Sequence, residues 1–308
     1  MGKIAFLFSG QGAQYPGMGQ SLCEASDAAK AVFDLADSLR PNTSTQCFSG
    51  TKEELSRTEN TQPCVYCVDL AAAEALKACG IVPDMAAGFS LGEVAALTFC
   101  GVLTPEAGFG LVCRRASFMD DAAERTGGGM AAVLKLPDER VEELCAAHVG
   151  TYPVNYNCPG QVAVAGEKTA LAELCKAVQE AGGRAVPLAV SGAFHSPMMD
   201  SAAEQMREEL KGVEVSTPAT QLYANYTAEP YGADETAIRE NIAMQVNHPV
   251  PWQTILRKMA AAGVTDFVEV GPGKTLAGLV KKTLPGVSIH RVEDAETLKA
   301  VVEALGGH

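Results

Sequence analysis

No stretch of this sequence is apolar for long enough to cross a bilayer. Its hydrophobic residues, 47% of the total, come in short runs cut by Gly, Pro and charge. The first such run, Ile4 to Phe8, is too short for a signal-peptide core and is not followed by a cleavage pattern. It is read as a buried first strand, and the protein is placed in the cytoplasm. Gly2 does not open a myristoylation motif, because Phe6 stands where that motif needs Ser or Thr. A surplus of positive charge is also missing. With 24 Lys and Arg against 37 Asp and Glu, the formal net charge is −13, which argues against a nucleic-acid-binding surface. An acidic or phosphorylated partner would need a local basic patch. Internal repeats and low-complexity tracts are absent. Cysteine is plentiful, at ten, but metal spacing is not. Cys64-x-x-Cys67 runs into an alanine-rich segment, no second pair follows, and the other cysteines are scattered among apolar neighbours. They are read as small buried hydrophobes in a reducing compartment, with no metal site.

What is present is the alternation of an α/β protein. The buried strand Ile4–Phe8 leads into a Gly-rich loop, Gly10 to Gly19, and then helical sequence from about Gln20 to Ser38. A long alanine-rich helix is predicted over Gln62–Cys79, a turn and short strand over Ile81–Phe89, and helices over Leu91–Cys100 and Pro105–Thr126. This pattern predicts a parallel sheet packed on both faces. After Gly127-Gly128-Gly129 the texture changes. Met130–Leu136, Asp138–His148, Val154–Asn157 with Gln161–Ala165, Lys168–Ala181 and Ala185–Val190 spell β-α-β-β-α-β, the ferredoxin-like split unit. The expected division is therefore a core of residues 1–126 and 192–308, with a small inserted subdomain over 127–191. A late strand is expected at Asp266–Val270, followed by a turn at Gly271-Pro272-Gly273.

Gly88-Phe89-Ser90-Leu91-Gly92 falls between a predicted strand and a predicted helix. A nucleophile on so sharp a turn needs neighbours without Cβ, and the following helix turns its free N–H groups toward the serine. Ser90 is thus the candidate nucleophile. Of the five histidines, His148 reads as solvated, His290 alternates with apolar neighbours, and His308 is terminal. His195 instead lies on a Gly- and Pro-bounded stretch, Ser191 to Pro197, and is the candidate base. Its orienting partner is open between Asp200, Glu269 and a backbone carbonyl. Gly10-x-Gly12 is not a dinucleotide fingerprint, since Tyr15 occupies the third glycine position. Gly271-Pro272-Gly273-Lys274-Thr275 is not a phosphate loop, since Val268 replaces its leading glycine. Arg114 and Arg115 project about 100° apart on one helix, so at most one faces a cleft. An inward arginine there would meet either an internal carboxylate or the carboxylate of a ligand.

Taken together, several segments resemble the malonyl-CoA:acyl carrier protein transacylase family. They are Phe8–Gln14, Gly88–Glu93, Arg115–Met119, Val154–Gln161, Gly192–Ser196, Gln245–Val250 and Glu269–Gly273. The resemblance implies a hydrolase-like α/β core with a ferredoxin-like insert. It implies Ser90 as nucleophile, His195 as base, and the backbone N–H groups of Gln11 and Leu91 as an oxyanion hole. Arg115 would bind the malonyl carboxylate, and the Gln245 backbone carbonyl would orient His195. Phe194 matches the malonyl-selecting form of its motif, where a bulky ring leaves less room for an α-methyl group, a discrimination of about 1–3 kcal/mol. Phe89 stands where the family usually has His, and Ala13 where Ser is common; the Phe89 ring is expected to reshape the floor of the acyl site.

The implied reaction is a ping-pong transfer from malonyl-CoA to the phosphopantetheine thiol of acyl carrier protein, supplying fatty-acid or polyketide elongation. Coenzyme A enters as a substrate thioester and no cofactor is expected. Two rivals are a serine hydrolase that passes the acyl group to water and a non-catalytic module that only docks carrier protein. Arg115 argues against the first, and Ser90, His195 and Arg115 together against the second.

Overall fold

In the computed structural model, which describes residues 2–306, the first apolar run is a strand whose side chains alternate between two clusters. Phe6 and Phe8 enter one, while Ala5 and Leu7 enter the other. A strand buried on both faces has no polar side to show, which is why this run lacks polar alternation. Among the described residues the strands are β1 (Lys3–Phe8), β2 (Met85–Gly88), β3 (Gly128–Leu134), β4 (Thr151–Cys158), β5 (Gln161–Glu167), β6 (Arg184–Pro187), β7 (Gln221–Tyr223), β8 (Val264–Val270) and β9 (Ser288–Val292). The main sheet runs β7-β2-β1-β8-β9, parallel throughout. The helices Thr58–Ala78, Gly92–Phe99 and Pro105–Thr126 supply the cluster on one face. Trp252–Ala261 and Thr275–Thr283 supply the other.

The second sheet is antiparallel, in the order β4-β5-β3-β6. The helices Asp138–Ala147 and Lys168–Glu180 cover one of its faces through Val141, Leu144, Leu171 and Leu174. Its other face, through Val154, Ala163 and Ala165, joins the main core. That is the ferredoxin-like arrangement, and the expected fold class is the observed one. The two sheets are also joined along the backbone. Tyr156 N–H donates to the Val250 carbonyl at 3.0 Å, and Val250 N–H to the Val154 carbonyl at 2.8 Å.

Several predicted boundaries move. Gln20–Ser38 is two helices, Gln20–Ala25 and Asp27–Leu39, because Ser26 adopts an extended backbone and caps the second by accepting from Ala29 N–H. The helix expected from Gln62 begins one turn earlier, at Thr58, and holds Pro63 inside it. β4 starts at Thr151, ahead of the expected Val154, and β6 stops at Pro187 rather than Val190. One more bond to β3, from Leu188 N–H to the Met130 carbonyl at 2.9 Å, follows before the chain leaves the sheet. The short helices Thr43–Ser49 and Lys52–Ser56 and the three-residue β7 are too brief for periodicity to reveal. His308 lies outside the described residues.

Two glycines separate packing from propensity. A Cβ on Gly92 would overlap the carbonyls of Phe8 and Ser9, which the parallel ladder holds in place. Gly110, exposed on the Pro105–Thr126 helix, has nothing within 4 Å of its Cβ direction. Gly92→Ala is expected to cost at least about 2 kcal/mol by overpacking. Gly110→Ala is expected to add about 0.5–1 kcal/mol by favouring the helix. Urea unfolding of both variants checks the pair; a stable Gly92→Ala protein would contradict the close approach of β1 to the serine turn.

Candidate active site

β1 and β2 run in parallel register with Phe8 opposite Gly88, so the loops leaving their carboxyl ends are neighbours. The turn after β2 swings into the Gly92–Phe99 helix by placing Ser90 in the left-handed region, at φ 56°, an uncommon state for a residue with a Cβ. The flanking glycines make room, since a Cβ on Gly88 would overlap the backbone of Gly92 and Glu93. Three side-chain bonds then hold the turn. Asn225 accepts from Ser90 N–H at 2.8 Å and donates to the Gly88 carbonyl at 2.7 Å. Gln245 Nε2 donates to the Ser90 carbonyl at 2.8 Å.

His195 is also left-handed, at φ 62°. Its N–H donates to the Val246 carbonyl at 3.0 Å. Its Nε2 lies 2.7 Å from Ser90 Oγ and its Nδ1 2.8 Å from the Gln245 carbonyl. A carbonyl only accepts, so Nδ1 carries the proton and Nε2 is left to accept from the Ser90 hydroxyl. Burial, then the positive charge of Arg115, lowers His195 to about 4, and the bond to the Gln245 carbonyl only partly opposes them. The ring is therefore neutral and competent as a base at neutral pH. Neither acidic candidate reaches it. Asp200 accepts from Asn247 at 2.8 Å, and Glu269 caps the Thr275–Thr283 helix through the N–H groups of Leu276 and Ala277.

The helix separates the paired arginines as their spacing requires. Arg114 is exposed and pairs with Glu209 at 3.7 Å, whereas Arg115 is 1% exposed. Arg115 Nη1 donates to Gln62 Oε1 at 2.6 Å; Nη2 donates to Gln245 Oε1 at 2.6 Å and to Ser90 Oγ at 3.1 Å. Among the described residues no carboxylate stands within ion-pair distance of it, and Nε has no partner. Burial lowers the guanidinium to about 10, with Glu93 opposing, so it stays cationic at neutral pH. A cation donating to Oγ favours the alkoxide form of serine.

The Gln11 and Leu91 N–H groups belong to the two neighbouring loops, Leu91 at the head of the Gly92–Phe99 helix. Among the described residues neither has a hydrogen-bond partner, so both are available to a developing negative charge. Phe194 is buried in the main cluster, its ring against Gly192. The Phe89 ring packs edge-on against Trp252, centroids 5.2 Å apart, and borders a cavity of about 210 Å³ shared with Gln11, Asn155 and Asn157. A second opening of about 500 Å³, lined by Tyr152, Tyr156 and Asn247, reaches His195.

Three residues of the network were not singled out from the sequence for any role there. Gln62 is one of five buried polar residues on its helix, with Thr58, Asn60, Thr61 and Asp69, so its residue type alone does not mark it out. Asn225 sits in a loop that no pattern marks. Glu93, fully buried, accepts from Asn225 N–H at 2.9 Å, Tyr231 OH at 2.8 Å and Gln245 Nε2 at 2.8 Å. Burial pushes it up to about 7 against the pull of these donors. Among the described residues no cluster of three or more His, Cys, Asp or Glu could hold a metal, the ten cysteines are unpaired, and no helix is long and apolar enough to cross a membrane.

Comparison with known proteins gives matches along nearly the whole chain. The family model for the acyl transferase domain matches residues 5–302. The chain is 38% identical over 311 aligned positions to the malonyl CoA-acyl carrier protein transacylase of Bacillus subtilis, covering 99% of this chain and 98% of that protein. The crystal structure of malonyl CoA-acyl carrier protein transacylase from Clostridium perfringens superposes with a TM-score of 0.94 at 36% identity, covering 99% of this chain and 97% of the other. A malonyl-transacylase in complex with its type II PKS acyl-carrier protein gives a TM-score of 0.94 at 31% identity, with 98% and 99% covered.

A fluorophosphonate probe is expected to label Ser90. The labelling rate should hold steady from neutral into mildly acidic solution and drop only as pH falls through about 4, where His195 takes up its proton. Mass spectrometry of the wild type and Ser90→Ala checks both points. Labelling that survives Ser90→Ala, or that titrates as an ordinary solvent-exposed histidine does, would contradict the arrangement.

Proposed function

The chain belongs to the acyl transferase domain family, and from that premise we propose that it carries malonyl from malonyl-CoA to the phosphopantetheine thiol of acyl carrier protein through a malonyl ester on Ser90. The observation that carries the reading is Arg115, a buried cation 3.1 Å from Ser90 Oγ with no carboxylate paired to it among the described residues. Such a charge is costly to bury unless a partner arrives, and the free carboxylate of a malonyl group supplies one. The names of the relatives support the same substrate and carrier.

In the first half-reaction Ser90 Oγ attacks the thioester carbonyl while His195 Nε2 takes its proton. The Gln11 and Leu91 N–H groups receive the oxyanion, the C–S bond breaks, and coenzyme A leaves as a thiol with the proton from His195. In the second, His195 takes the proton of the carrier thiol, the thiolate attacks the ester carbonyl, and Ser90 leaves with that proton restored. The Gln245 carbonyl holds the imidazole tautomer in both directions. Phe194 narrows the site against an α-methyl group. Both half-reactions use protein groups alone and need no cofactor, coenzyme A entering as the substrate thioester. A reducing, cytoplasmic setting fits the ten free thiols.

Incubation with malonyl-CoA should leave a malonyl adduct on Ser90 that persists until carrier protein is added. Arg115→Ala should cut malonyl transfer at least about 30-fold, as expected for truncating one side of a buried charge pair. Acetyl transfer, which has no carboxylate to lose, should fall far less. Equal losses for the two substrates would make Arg115 structural, and an adduct discharged to water without carrier would restore the hydrolase reading.

A further inference from the structure

A glutamine amide has an accepting end and a donating end, and nothing intrinsic decides which one faces a neighbouring guanidinium. At Gln245 the surroundings decide. Nε2 sits between two acceptors, Glu93 Oε2 at 2.8 Å and the Ser90 carbonyl at 2.8 Å. Oε1 is thereby turned to Arg115 Nη2 at 2.6 Å. Rotated by half a turn, the amide would aim its NH2 at the guanidinium and its oxygen at the carboxylate, replacing two attractions with two repulsions. Glu93 itself has nowhere to go. Its Oε1 accepts from both Asn225 N–H and Tyr231 OH, it is fully buried, and it stands in the first turn of the Gly92–Phe99 helix. Three donors and no acceptor converge on it and favour its ionised form, against the burial that pushes it up to about 7.

We infer that Glu93 is a positioning residue for acyl-group choice: by fixing the Gln245 amide in one orientation it keeps the Arg115 guanidinium beside Ser90, and so sets the preference for acyl groups ending in a carboxylate. The inference rests on the carboxylate-binding reading of Arg115. It differs from a purely structural role in one respect. Loosening the fold would slow every acyl group alike, whereas turning the amide penalises only those that need the guanidinium.

The test is the ratio of kcat/KM for malonyl-CoA to that for acetyl-CoA, measured with the full chain and an acyl carrier protein. Glu93→Gln keeps the shape and an acceptor for Asn225 N–H but sets a second NH2 against Gln245. The ratio should fall at least about tenfold, the worth of one hydrogen bond to a charged group, with the change concentrated in KM for malonyl-CoA. In an Arg115→Ala background the same substitution should move the ratio by less than about twofold, because the two act through one interaction. The wild type offers a measurement free of any variant. Its ratio should decline as pH falls through about 7, where Glu93 gains a proton. His195 serves both substrates and cancels from the ratio, while Arg115 and Tyr231, the other ionisable groups facing Glu93, keep their protons throughout.

If Arg115→Ala leaves the ratio unchanged, the carboxylate reading falls and this inference with it. If Arg115→Ala lowers the ratio while Glu93→Gln does not, this inference alone is overturned. Additive losses in the double variant, or a wild-type ratio flat across that pH range, overturn it as well.

Discussion

The residue on which the site depends is Gln245, whose side-chain amide and backbone carbonyl together touch four functional groups. The carbonyl holds His195 Nδ1, Oε1 holds Arg115, and Nε2 holds both the Ser90 backbone and Glu93. Those groups come from the turn after β2, a helix of the main core and the loop that follows the second sheet. Apart from Ser90 and Glu93, which share the turn and the helix it opens, they are distant in the chain, and one residue at the end of the Glu235–Met244 helix sets their mutual distances. The same stretch carries Val250, whose backbone bonds to β4 tie the second sheet to the main one. The wall of the cleft and the reacting groups thus share a single support. Transfer chemistry gains from such an arrangement because its donors need not reorganise as charge moves.

This rigidity has opposing costs. Ser90 and His195 both hold left-handed backbones, a state that costs of order 1–3 kcal/mol each away from glycine. Arg115 is a charge taken out of water and Glu93 a buried carboxyl whose ionised form burial disfavours, and both are displaced from their ordinary ranges. What offsets these terms is the hydrogen bonding of the Gly88 and Ser90 backbone in the serine turn. Asn225 answers both the Ser90 N–H and the Gly88 carbonyl, and Gln245 answers the Ser90 carbonyl. A buried network of this kind is stable only when every member is satisfied. The exceptions among the described residues, the Arg115 Nε and the Leu91 N–H, lie at groups that the proposed mechanism turns toward substrate.

Much of this was legible in the residues. The glycines around Ser90 mark a turn too tight for Cβ atoms, and the structure shows which carbonyls they would strike. The β-α-β-β-α-β order announced the second sheet, and the loop setting of His195 distinguished it from the other histidines. Other features were hidden for physical reasons. Spacing says that Arg114 and Arg115 diverge but not which turns inward, since burial is settled by packing from other helices. The partner of His195 lies fifty residues away and is a backbone atom, which carries no residue signature. Asn225 reaches Ser90 from a loop without periodicity. The break at Ser26 is of another kind: Ser26-Asp27 is a readable helix start, masked by helical sequence on both sides.

The missing acid beside His195 follows from the same electrostatics. A carboxylate on Nδ1 would raise the histidine and stabilise its protonated form, as in hydrolytic triads. It would also stand close to Arg115, which already lies within hydrogen-bond reach of Ser90 Oγ. In a buried site such a pair would satisfy itself, and an anionic acyl group would then have to displace one of its members. A backbone carbonyl sets the tautomer without bringing that negative charge. Glu93 is the one carboxylate the network admits, and it is kept one amide away: Gln245 stands between it and Arg115, passing on orientation while denying direct contact. Under the proposed reading, that separation leaves Arg115 as a cation for a substrate to meet and makes the lack of an acidic triad member part of how a carboxylate-bearing acyl group is chosen.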